Sequence, residues 1–229
     1  MAITKSKIVS VLNARLKRTE TTVSIADAIT GALRNLSRLA DWPDLHTTET
    51  QALTAGQESD TTPTDYRKLD LVYINDGTDD GEPLEEISYD EFRQMRAGEG
   101  ISDQGEPERF ALRGRKFYWH PVPDSAKTYT AKIGHWQTHP DQAAVLFADE
   151  FSEAVYAMTM LMYLRGKGLW VDPKTNAINM AAYQEIAGIR LEQDKKALLT
   201  AQLVLQDELM RMLGTADLKA SVGKYNDIA

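Results

Sequence analysis

Short strand-like runs, each stopped by a proline or a glycine-bearing turn, fill the middle of this chain and restrict that region to a small sheet. The segment from Asp65 to Pro140 contains Leu69 to Ile74, Pro83 to Phe92, Glu106 to Leu112, Phe117 to Pro123 and Tyr129 to Trp136. Pro83, Pro107, Pro121 and Pro123 suit strand ends and edges, where a missing N–H is tolerated. Gly77, Gly81, Gly98, Gly100 and Gly105 punctuate the loops. Phe117 to Val122 and Thr128 to Gln137 read as a hairpin closed by Asp124 to Lys127. Ser88 is placed to cap a short helix over Tyr89 to Arg96. The Thr-rich stretch from Thr47 to Pro63 has little to bury and reads as a mobile or extended loop.

Helical patterns flank this region. Ile8, Val9, Val11, Leu12 and Leu16 recur at helical spacing behind Thr4, a suitable N-cap. A second helix is predicted from Ser24, with Ile25, Ala28, Ile29, Ala32, Leu33, Leu36 and Leu39 along it, ending at Trp42-Pro43. Ala148 to Lys167 carries Phe151, Ala154, Val155, Met158, Leu161 and Met162. Ala181 to Leu213 reads as a long helix closed by Gly214. The fold class that follows is α+β, mainly helical with about four helices and an inserted small antiparallel β region. The predicted divisions are a helical body over 1–45 and 141–214, a β-rich insertion over 46–140, and an extended C-terminal tail over 215–229.

Charge is distributed unevenly. Residues 1–40 hold seven Lys/Arg and two Asp/Glu, residues 41–110 five and nineteen, and residues 111–229 fourteen and thirteen. The acidic middle repels phosphates, which argues against tight sequence-specific DNA binding. The simplest reading is that acidic loops keep the protein dissolved; a second is that subunits associate, the basic N-terminal helices meeting acidic loops of a neighbouring copy. The chain has no cysteine, so disulfides, thiol catalysis and Cys-ligated zinc are excluded. Met1 to Lys17 lacks the apolar run of a signal peptide. Val155 to Leu164 is too short to span a bilayer, and no membrane association is expected.

The candidate chemical groups do not assemble into a site. His135 and His139 are four apart, a spacing that suits a metal only on a helix, and Pro140 argues against one. Asp76 to Glu82 resembles a calcium loop, but Thr78 takes the third place and Ile87 the twelfth, where a glutamate belongs. Glu85/Glu86 and Asp79/Asp80 are adjacent and diverge in a strand. There is no phosphate loop and no nucleophile elbow. Phe117, Tyr118, Trp119, Tyr129 and Trp136 could stack bases, but cross-strand packing explains them more simply. Met158, Met160 and Met162 read as core. No catalytic residue, metal or cofactor is expected, and the protein is expected not to be an enzyme.

The order of elements resembles a family of tailed-phage head-to-tail adaptors, which dock beneath the portal. Ile3 to Val9, Asp41-Trp42 and Tyr66-Arg67-Lys68-Leu69 carry the resemblance, together with Pro83 to Phe92, Gly105 to Ala111, Phe117 to Pro123 and Tyr129 to Trp136. It extends over about 1–213 and consists of loose motifs, of which the proline-bounded strands are the most specific.

The resemblance implies a virion protein assembled in the host cytoplasm as a homo-oligomeric ring of twelve subunits. The ring would join the capsid vertex to the tail and continue the DNA channel, with genomic DNA passing through without specific binding. Helices would form the ring body and the strand insertion would face the tail, meeting a tail tube or nozzle protein. The C-terminal tail would dock on the portal protein. Lys219, Val222, Tyr225 and Ile228 are its candidate contacts, because three-residue spacing of the apolar members suits a groove. The alternative is a nucleic-acid-handling or packaging accessory protein that uses the basic N-terminal helices.

Overall fold

The computed structural model describes residues 3–17, 19, 22–99, 104–140, 144–167, 169–171, 178–179 and 194–211. The chain divides into two compact units, His46–Gln137 on one hand and Met1–Leu45 with Thr138–Ala229 on the other. The first is mainly β and the second mainly helical, an α+β protein.

In the helical unit, α1 (Lys5–Leu16) starts where Thr4 Oγ1 accepts from the Lys7 N–H at 3.1 Å. It ends where Lys17 takes the left-handed conformation at φ 51°. Ile8, Leu12 and Leu16 face inward. α2 (Thr22–Leu39) begins two residues before the predicted start. Its Leu36 carbonyl accepts a 2.6 Å bond from Trp42 Nε1, so the tryptophan ties down the end of the helix. Trp42 is buried and meets Phe147 and Phe151 edge-on at 5.2 and 5.0 Å between ring centres. Later in the unit lies α4 (Ser152–Gly166), in which ten residues from Ala154 to Leu164 are buried. A helix apolar on every side belongs inside its bundle, and α4 packs against both α1 and α2. A further helix, α5, covers 194–211 and presents Leu198, Ala201, Leu205 and Leu209 to the same core. The predicted helix over 181–213 is thus seen in its second half, and its first half lies outside the described residues.

The β unit holds two four-stranded sheets. The first has the order β1 (His46–Ala52), β10 (Thr130–Gln137), β3 (Tyr66–Asn75), β4 (Asp80–Pro83). The second has the order β2 (Ser59–Thr61), β8 (Lys116–His120), β7 (Arg109–Arg113), β5 (Glu85–Ile87). Val72, Ile74, Ala131 and Ile133 from the first sheet share one core with Phe110, Phe117 and Trp119 from the second. β6 (Gln104–Gly105) and β9 (Val122–Pro123) form a separate short pair. The helix α3 (Tyr89–Glu99) starts at Ser88, whose Oγ accepts from the Glu91 N–H at 3.1 Å, and it buries Phe92 against Ile87 and Ala111. With α3 the described residues contain five α-helices, where about four were expected.

Three expectations need correction. β8 does not pair with β10. It pairs with β7 across a tight turn at Gly114-Arg115, both at φ near +60°, and with β2 on its other side. Two left-handed residues in a two-residue turn match the twist of antiparallel strands, and the prolines at 121 and 123 then carry the chain out of that sheet. Pairing in the β region is also not purely antiparallel, because β5–β7 and β6–β9 run parallel. Lastly, the Thr-rich stretch is extended, one of the two alternatives expected, but it is not a loop: it holds two strands, β1 and β2. The branched threonines favour extended backbone, and β1 gains its place from its ladder with β10 although it buries almost nothing itself.

Candidate interaction surfaces

The histidines serve the fold. Burial leaves 1% of His135 exposed, its Nδ1 is 3.1 Å from the Ile133 carbonyl, and it belongs to the β unit. His139 belongs to the helical unit, where its Nε2 accepts from the Leu146 N–H at 3.0 Å and its ring stacks on Phe147. Among the described residues no group of three or more His, Asp or Glu is placed to hold a metal ion.

Asp76 likewise organises a turn. Its Oδ1 accepts from the N–H groups of Thr78 and Asp79, and its Oδ2 takes a 2.6 Å bond from Lys127 Nζ. The lysine ammonium, then the two backbone donors, hold its carboxyl well below the usual carboxylate range. A lysine thus supplies the positive charge at this loop. Asp80 is lowered in the same way by Lys132, then by Asn75. Glu85 pairs with Arg109 at 2.9 Å. These carboxylates neutralise neighbouring cations instead of converging on a reaction centre.

The aromatic set is mostly interior. Phe117 and Trp119 are fully buried and stacked at 5.5 Å, and Trp119 Nε1 donates to Asp60 Oδ2. Burial raises the phenol pKa of Tyr118 and Tyr129. Trp136 lies against the His46 ring on one side and beneath the Lys68 ammonium at 5.0 Å. This is cross-strand packing with little face left for a nucleic-acid base. Met158 and Met160 are buried in the helical core.

Among the described residues three surface features remain once these groups are assigned. A cleft of about 400 Å³ in the helical unit has Met160, Ala197, Ala201 and Val204 as its apolar lining and Arg15, Lys17 and Lys196 as its charged one. On another flank of α5, Leu199, Leu203 and Met210 stand 46%, 67% and 41% exposed. Chemistry of the opposite sign occurs in the β unit. His46–Gln137 holds eighteen Asp/Glu and ten Lys/Arg, and the rest of the chain sixteen of each, so the whole net charge of −8 resides on the β unit. Its acidic groups include Glu82, Glu106 and Glu108 around a smaller hollow of about 230 Å³. Sequence reasoning missed the cleft, because Lys17 and Lys196 are brought together only by the bundle.

The model of the SU10 adaptor protein family matches residues 4–205. The chain belongs to that family of phage head-to-tail adaptors. The adaptor is therefore a structural component of a bacteriophage particle. No curated protein matched the chain. Among its described residues no helix is long and apolar enough to cross a membrane. The candidate tail contacts Lys219, Val222, Tyr225 and Ile228 lie outside the described residues.

Proposed function

We propose that this adaptor assembles as a ring of twelve copies beneath the portal, joins the capsid vertex to the tail, and continues the channel through which DNA leaves. The match to the adaptor family over residues 4–205 carries the reading. The distribution of charge supports it. Head-to-tail contacts that close a ring need two different patches that fit each other, and the cation-lined cleft and the acidic β unit carry opposite charge. The helical unit forms the ring body, its cleft receives the acidic β unit of the next copy, and the β unit also meets the tail tube or nozzle protein. The C-terminal residues Lys219, Val222, Tyr225 and Ile228 dock on the portal, and DNA passes an acidic wall without binding to it. The protein acts without catalysis.

Electron microscopy of the purified adaptor mixed with its portal, beside the adaptor alone, tests this. A ring added to the narrow end of the portal supports the reading. No association at low and moderate salt removes it, and DNA binding that falls steeply with salt would put a nucleic-acid-handling role in its place.

A further inference from the structure

We infer that the free edge of β1 is a docking site for an extended, basic segment of a different protein, which adds to the first sheet as a fifth strand. β1 pairs with β10 over all seven residues, His46 opposite Trp136 through Ala52 opposite Thr130, in unbroken register. No strand lies on its other side among the described residues. The ladder shows which groups face outward. The Leu53 N–H donates to the Tyr129 carbonyl at 3.0 Å, in the same register. Hydrogen-bonded and non-hydrogen-bonded pairs alternate along antiparallel strands. Thr47, Glu49 and Gln51 therefore turn their backbone groups to β10, and Thr48 and Thr50 turn theirs to the open side.

Exposed strand edges invite pairing, and proteins blunt them with proline, lysine, bulges or brevity. The other edges of the two sheets are blunted. β4 has four residues, ends in Pro83 and meets β3 in shifted register. β2 and β5 have three residues each. β1 has neither proline nor lysine, no register shift, and threonine at three of its seven positions.

The occupant's chemistry follows from the charge around the edge. Glu49 is the one carboxylate on β1, it is exposed, and no Lys or Arg accompanies it on the strand. It sits in a unit with eight more acidic than basic residues. A strand entering here is favoured by a Lys or Arg across from Glu49 and by β-branched residues beside Thr48 and Thr50. A second copy fits poorly: its own long open edge is the same acidic β1, and pairing β1 with β1 sets like charges together in a closed two-fold dimer. The contact adds to the adaptor reading and does not depend on ring formation.

The test titrates the full chain with a blocked eight-residue peptide alternating threonine and lysine, and with its glutamate twin, while backbone amide resonances are followed. The lysine peptide is expected to shift the amides of Thr48 and Thr50 and to bind about five- to tenfold more tightly than the twin. Thr48→Pro with Thr50→Pro removes two outward donors and no β10 bond, and should weaken binding about tenfold or more while the fold persists. Glu49→Lys, which leaves the backbone unchanged, should reverse the preference between the peptides. Failure of both peptides to bind, equal binding of both, or undiminished binding by the proline variant overturns the inference. So does a β1-dependent dimer of the free protein, which would make a second copy the occupant. The portal experiment is read independently, so a bare β1 edge leaves the ring reading standing.

Discussion

Trp119 Nε1 donates a 2.8 Å hydrogen bond to Asp60 Oδ2 from within the aromatic core of the β unit, and Gln57 Nε2 donates to the other oxygen of the same carboxylate. The bond adds a side-chain anchor to the short β2–β8 ladder, which is flanked by backbone bonds from the Trp119 N–H to the Glu58 carbonyl and from the Thr62 N–H to the Arg115 carbonyl. Asp60→Ala leaves a fully buried indole N–H without an acceptor, which costs about 1–3 kcal/mol. Asp60→Asn retains an oxygen acceptor and should lose less. Urea unfolding followed by tryptophan fluorescence measures both. An alanine variant as stable as wild type would mean that this bond does not secure β2.

Trp42 has the corresponding position in the helical unit, with its rings against Phe147 and Phe151 and its N–H on the Leu36 carbonyl. Trp42→Ala should cost about 3–5 kcal/mol, the range for emptying a large aromatic site. Trp42→Phe keeps most of the packing and forfeits the bond at the end of α2, so its loss should be nearer 1–2 kcal/mol, roughly that of one hydrogen bond with some mispacking. Thermal melts of the two variants would separate packing from capping.

The ion pair of Asp76 with Lys127 makes the stability of the β unit depend on pH at both extremes. Lys127 holds the Asp76 carboxyl below its ordinary value. That contribution is present above the unfolded aspartate value, about 3.9, and is lost as pH falls through the lower folded value. Asp76, then Glu106, raises the Lys127 ammonium. That contribution is complete below the unfolded lysine value, about 10.4, and is lost as pH rises through the higher folded one. The gap in urea midpoint between wild type and Lys127→Gln should therefore be flat from about pH 5 to pH 9 and narrow at each end. Because the pair is solvated, the gap should be small and should shrink in salt. A gap that widens in acid would contradict this assignment.

The helices were legible in the sequence wherever their apolar residues recur at three- and four-residue steps, as Ile8, Leu12 and Leu16 do. Thr4 and Ser88 marked two helix starts because a side-chain oxygen meets an N–H within one turn. Strand pairing was less legible, since it depends on partners distant in the chain. Phe117 to Val122 and Thr128 to Gln137 look like neighbours, yet β8 turns back on β7 at Gly114-Arg115 and β10 lies between β1 and β3. β1 left no apolar alternation to find, because its residues line an edge and stay wet. The cation-lined cleft needed a bundle to join Lys17 with Lys196.

Deleting residues 215–229 tests the portal contact proposed for Lys219, Val222, Tyr225 and Ile228. Among the described residues the helical core runs as far as Leu209 on α5. The truncated chain should keep its melting temperature and circular dichroism and lose association with the portal. Val222, Tyr225 and Ile228 changed together to serine should reproduce the loss in the full-length chain. Portal binding at wild-type strength by the truncation would remove the tail from the interface.

Charge reversal in the cleft tests how copies meet. Lys17 and Lys196 are exposed, and both line the cleft. Arg15 beside them is already engaged by Glu153 at 2.7 Å, so it is the weaker target. Lys17→Glu with Lys196→Glu should slow and weaken ring formation on the portal at low salt. The variant should differ little from wild type at about 0.5 M salt, where exposed charges are screened within a few ångströms. If the acidic β unit of the neighbour is what the cleft receives, Glu82→Lys with Glu108→Lys should impair assembly alone and restore it when combined with the cleft variant. Restoration is the informative outcome, because two destabilising changes would add and two complementary ones would offset each other.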